Sequence, residues 1–106
     1  MEGDNMPFPI SATLLDFCVL SIVNRHDEYG YSITQKIQSA IVISESTLYP
    51  VLRRLQSASM LSTYDRPYQG RNRRYYRITE KGREQLKLYK QDWIEHKETV
   101  DMIVGE

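Results

Sequence analysis

Cysteine is almost missing from this chain: Cys18 is the only one in 106 residues. That excludes a disulfide framework and any metal site built on paired cysteines, and it fits a reducing, cytoplasmic compartment. Long apolar runs are missing as well. The longest, Leu14 to Val23, is interrupted by Asp16 and Ser21 and is about half the length needed to cross a bilayer. No secretory leader pattern is visible, so neither export nor membrane insertion is expected. Nor is there a glycine-rich phosphate loop, a nucleophile with a neighbouring base or a pair of catalytic carboxylates, which argues against an enzyme and against a cofactor. His26, Asp27 and Glu28 are adjacent at a predicted helix end, a poor arrangement for a metal site or for acid–base work.

Net charge is also zero, with 14 Lys/Arg against 14 Asp/Glu, and taken alone this speaks against nucleic acid. The placement of the charges reverses that reading. Residues 1–43 carry 2 Lys/Arg and 5 Asp/Glu, residues 44–83 carry 9 and 3, and residues 84–106 carry 3 and 6. The middle of the chain therefore holds a basic footprint that the overall sum conceals.

What is present is amphipathic patterning. Residues 44–55 predict a helix with two opposed faces: Leu48, Val51, Leu52 and Leu55 recur at the spacing of an apolar stripe, while Ser46, Tyr49, Pro50 and Arg53 share the outward side. Ser44 is the expected N-cap and Glu45 suits the first turn. Pro50 deletes a backbone donor past the first turn, which predicts a kink or a late helix start.

Before this helix, residues 1–8 predict a polar arm. Pro9 then starts a helix that is apolar almost all round and must be covered on several sides, for which a second subunit is expected in preference to more of the same chain. Tyr29-Gly30-Tyr31-Ser32 opens a short helix with Ile33 and Ile37 on its apolar side, and two closely joined helices of this kind match a helix-turn-helix. After it, Met60–Tyr64 and Arg73–Ile78 predict a β-hairpin with a loose tip containing Pro67, Gly70 and Asn72. A hairpin in this position is the wing of a winged helix. Thr79 is the expected cap of a last helix, along which Leu86, Tyr89, Trp93, His96, Val100 and Ile103 alternate at spacings of three and four, the pattern of a dimerising heptad seam.

The motifs Tyr29-Gly30-Tyr31, Ser46-Thr47-Leu48-Tyr49-Pro50 with Leu52-Arg53-Arg54-Leu55, and Gly70-Arg71 through Arg73-Arg74-Tyr75-Tyr76-Arg77-Ile78-Thr79-Glu80-Lys81-Gly82 resemble the PadR family of bacterial transcriptional regulators. The resemblance spans most of residues 10–104. It implies a mainly α fold with a small β-hairpin, in which a winged helix-turn-helix (9–79) is joined to a C-terminal dimerisation helix (80–106). It also implies a homodimer that represses promoters by binding double-stranded operator DNA and is released by a small molecule, and it accounts for Pro50, which the family tolerates inside its recognition helix. The single-helix tail is similar to the small branch of multidrug-responsive repressors, in which a tryptophan matching Trp93 faces its symmetry mate and planar aromatic compounds lie between the two.

The expected DNA contacts are Ser44, Ser46, Thr47, Tyr49, Pro50, Arg53 and Arg54 on the helix, with Arg71, Arg73, Arg74 and Tyr75 on the wing. For Arg53 and Arg54 the alternative is a solvated helix face; for Tyr49, an amphipathic filler; for Tyr75 and Tyr76, strand packing. Trp93 is a ligand platform or only an interface residue. Phe17 and Asp16 are the further effector candidates, the carboxylate attracting a cationic compound. A winged helix that binds protein instead of DNA is the competing function, and it leaves the basic segment without a purpose.

Overall fold

The computed structural model describes residues 9–105, so the predicted arm at 1–8 lies outside the described residues. Within them the order of elements is α1 (Ala12–Arg25), β1 (Glu28–Tyr29), α2 (Gly30–Gln38), α3 (Glu45–Ser57), β2 (Leu61–Tyr68), β3 (Arg71–Ile78) and α4 (Glu80–Val104). α1 begins after Pro9, not at it, because Ser11 takes the N-cap and its hydroxyl accepts a hydrogen bond from the Leu14 N–H at 3.1 Å.

The apolar stripe of α3 lies where its spacing places it. Leu48, Val51, Leu52 and Leu55 are all buried, and with Val19 and Leu20 of α1, Ile33 of α2 and Leu61 of β2 they form one core. Each such side chain contributes about 1.5–3 kcal/mol relative to leaving it in water. α3 starts at Glu45 and spans Pro50 as one helix, so the late start does not occur. The carbonyl that loses its partner belongs to Ser46, and Ser46 and Pro50 are both exposed, so water can satisfy it.

The hairpin is longer and tighter than the sequence suggested. β2 and β3 pair from Leu61↔Ile78 to Tyr68↔Arg71, and the turn between them is only Gln69-Gly70, both with positive φ (52° and 80°). Successive positive φ values make this a type I′ turn, whose twist matches that of the strands. Pro67 is accommodated because β2 is an edge strand: the sheet order is β1-β3-β2. β1 has no counterpart among the expected strands; it adds Glu28↔Tyr76 and Tyr29↔Tyr75 to the far side of β3.

α3 and α4 are locked together at their ends. Ser59, with φ 63°, closes α3, and its carbonyl accepts from the Thr79 hydroxyl at 2.6 Å, while the Thr79 N–H donates to the Met60 carbonyl at 3.1 Å. The same Thr79 hydroxyl caps α4 by accepting from the Gly82 N–H at 3.0 Å. The start of α4 is thus fixed on the body. From Gln91 to Gly105 every residue is exposed.

Candidate nucleic-acid interface

At the N-terminus of α3 three hydroxyls converge. Ser44 Oγ accepts from the Thr47 N–H at 3.3 Å and lies 3.0 Å from both Ser46 Oγ and Thr47 Oγ1. The helix dipole makes this end attractive to phosphate oxygens. One turn on, Tyr49 and Arg53 point outward from the same face, and Tyr49 retains 37% of its accessible surface.

The wing has two distinct faces, fixed by strand alternation. Asn72, Arg74, Tyr76 and Ile78 share the side that enters the core at its lower end, whereas Arg71, Arg73, Tyr75 and Arg77 share the other. Burial pushes up the Tyr76 hydroxyl pKa, and the Arg74, Tyr49 and Arg53 side chains exert smaller influences of charge on it. Tyr49 and Arg53 therefore extend the exposed face that begins with Ser46 on α3, and Arg74 is exposed on the wing.

Arg73 and Arg74, expected as a pair, separate onto opposite faces. The Arg73 guanidinium lies 3.7 Å from the Tyr68 ring centroid and 4.5 Å from that of Tyr29. Tyr75 stacks on Tyr64 at 5.7 Å and 21°, with Arg66 over its ring at 5.1 Å. Cation–π and aromatic contacts of this kind stiffen an exposed hairpin, so Tyr75 and Arg73 are occupied in building the wing. Arg71 is exposed at the tip.

Arg54 is the clearest departure from the expected set. Its guanidinium does not join Arg53 but pairs with Asp16 of α1, a carboxylate only 9% exposed, whose other oxygen lies 3.5 Å from the Tyr89 hydroxyl of α4. Burial is the largest influence on Asp16 and pushes its pKa up, with the Arg54 hydrogen bond and charge opposing. The sequence carried a signal for this pair. A lone acid inside an apolar helix requires a partner, and Arg54, three residues after Val51, flanks the buried stripe of α3.

Asp16 therefore does not line the groove beside Trp93. That groove, of about 580 Å³ between α1 and α4, is bordered by Leu14, Phe17, Tyr89 and Trp93, and its acidic side chains are Asp92 and Glu95. The Phe17 ring centroid stands 6.2 Å from that of Tyr89 and 6.5 Å from that of Trp93. The six residues of the expected seam also divide. Leu86 is buried in the core of its own chain and Tyr89 is half-buried, whereas Trp93, His96, Val100 and Ile103 face solvent. His26 and Glu28 approach to 3.4 Å, but Glu28 is also paired with Lys36 at 2.6 Å and Asp27 with Tyr64 and Arg77. No metal-holding cluster occurs among the described residues.

Comparison with known proteins agrees with this architecture. The profile described as "Transcriptional regulator PadR-like family" matches residues 19–88. Among solved structures, a Streptococcus mutans protein is similar at 45% identity and a TM-score of 0.87, with 93% of each chain covered. A PadR-like transcriptional regulator from Bacillus cereus is 34% identical at a TM-score of 0.78, covering 88% of this chain and 94% of that one. A PadR family transcription regulator from Clostridium difficile is 29% identical at a TM-score of 0.79, covering 86% and 98%. With its winged helix-turn-helix, its basic α3 face and these relatives, the chain belongs to the PadR-like family of transcriptional regulators.

Proposed function

We propose that this regulator is a homodimeric, sequence-specific repressor that works in the cytoplasm. α3 enters the major groove as the recognition helix, the wing follows the adjacent backbone, and the outer half of α4 pairs with α4 of a second copy. The observation that carries this reading is the exposed face of α3, on which Tyr49 and Arg53 follow the three hydroxyls gathered at its N-terminus. Ser44, Ser46 and Thr47 hold phosphate, Pro50 lies on the same outward face of α3, and Arg71 at the wing tip adds a backbone contact. Dimerisation rests on Trp93, His96, Val100 and Ile103, an apolar-edged row that the other described residues leave open.

Salt dependence tests the DNA contact. With about three phosphate contacts per subunit, log K against log salt has an expected slope of about −5, and Arg74→Ala flattens it by about one to two units. Arg73→Ala, in contrast, costs wing stability and leaves the slope nearly unchanged. Binding indifferent to salt refutes the interface.

The effector reading places a planar aromatic molecule in the groove between Phe17 and Trp93, with Asp92 and Glu95 favouring a cation. Offset stacking contributes about 0.5–1.5 kcal/mol per aromatic contact beyond area burial. Because Trp93 is the only tryptophan, titrating a planar aromatic dye quenches its emission saturably and weakens DNA binding in parallel. Absence of both effects makes Trp93 an interface residue alone.

A further inference from the structure

Among the described residues, Asp16 is the one buried acid that joins three helices with different tasks: α1, which sits in the core, α3, which carries the proposed DNA-reading face, and α4, which borders the groove. Its two bonds differ in kind. The Arg54 bond is a close ion pair at the inner edge of α3, one residue from the outward-facing Arg53. The bond to Tyr89 is stretched: at 3.5 Å it exceeds the roughly 2.5–3.0 Å of a relaxed O–H···O contact. A displacement of α4 by less than about an ångström therefore tightens or breaks it. The groove reaches the same point, since Phe17 follows Asp16 in α1 and Tyr89 is itself a groove wall.

We propose that Asp16 is a positioning residue for DNA reading, holding the angle of α3 through Arg54, and that its loose bond to Tyr89 makes that angle responsive to what occupies the α1–α4 groove. Arg54, whose side chain keeps 46% of its surface, then spends its guanidinium on Asp16 as a strut and is not a phosphate contact. A buried carboxylate without its cation is strongly disfavoured, so the pair stays closed and α3 moves as one piece with Asp16. Any shift of α1 against α4 reaches the recognition face by this route. The proposal rests on α3 being the DNA-reading helix, and Tyr49→Ala, which acts on the outward face alone, serves as the control for that premise.

The test compares affinity for a duplex selected by the protein from a random-sequence pool with affinity for unselected duplex. Asp16→Asn and Arg54→Gln each lower that ratio about tenfold and the double variant lowers it no further, because both break one contact. The salt slope on unselected duplex is unchanged, since neither group neutralises phosphate. Arg54→Lys, which keeps a donor for Asp16, restores most of the ratio, and melting curves confirm that all variants are folded at the assay temperature. Additive losses, an unchanged ratio, or a slope flattened by about one unit in Arg54→Gln overturn the strut. If Tyr49→Ala alone leaves the ratio intact, the premise about α3 has failed instead. The link to α4 is read separately: adding the selected duplex to saturation shifts Trp93 emission in the wild type, and in Tyr89→Phe, saturated with the same duplex, the shift is abolished. A wild-type emission that ignores DNA, or a shift that persists in Tyr89→Phe, overturns that link.

Discussion

Replacing Gly82 with alanine is expected to lower the stability of the protein by about 3 kcal/mol, at the upper end of what overpacking costs. A Cβ there would lie 2.2 Å from the Met60 carbonyl oxygen and 2.8 Å from Ile78 Cγ1. The first of these is backbone, and it is held in place because the same oxygen accepts the Thr79 N–H. Intrinsic propensity works in the opposite direction, favouring alanine over glycine inside a helix by about 1 kcal/mol. The sign of the change therefore separates the two effects. Urea denaturation should show a lower midpoint with little change in m, while Lys81→Ala, at an exposed neighbouring position, stays within about 0.5 kcal/mol of wild type. A neutral or stabilising Gly82→Ala would mean that α4 is free to back away from the end of α3.

The second large effect concerns assembly. Val100→Lys combined with Ile103→Lys places two cations on the open row of α4, at positions 40% and 79% exposed in the single chain, so folding should be little affected. In the proposed dimer those lysines face their symmetry mates, and burying unpaired like charges is costly enough to separate the subunits. Sedimentation should report monomers. Affinity for a two-half-site operator should fall by a factor of about 100 or more, because the second half-site no longer benefits from effective concentration. A variant that remains dimeric and binds normally places the subunit contact elsewhere, with the partly covered side chains Phe17, Cys18 and Ile22 of α1 as the next surface to probe.

Periodicity made the helices legible. The stripe of α3 repeats because the core imposes it, and the row along α4 follows the same helical period, so both helices could be read without knowing what covers them. Long-range pairing was not legible. β1 is two residues long and exists only because β3 offers an open edge to Glu28 and Tyr29. Pro67 looked like part of a loose tip, and only the sheet order, which puts β2 at an edge, shows why it belongs in a strand. Arg53 and Arg54 are neighbours, yet a rotation of about 100° per residue sends one to solvent and the other to Asp16, 38 positions earlier in the chain. Arg73 and Arg74 part for the corresponding reason in a strand, where alternation turns them to opposite faces. Leu86 fits the heptad as well as Val100 does, but only the fold shows that its end of α4 is already covered by its own chain.

The measurement that bears most directly on α3 as the reader of DNA is a competition titration of selected against unselected duplex with wild type, Tyr49→Ala and Arg53→Ala. Base edges are read in the major groove, and a good contact discriminates by about 1–3 kcal/mol, so each variant should lose about tenfold or more on the selected duplex while binding to unselected duplex changes far less. Equal losses on both duplexes would contradict this and reduce α3 to a phosphate clamp.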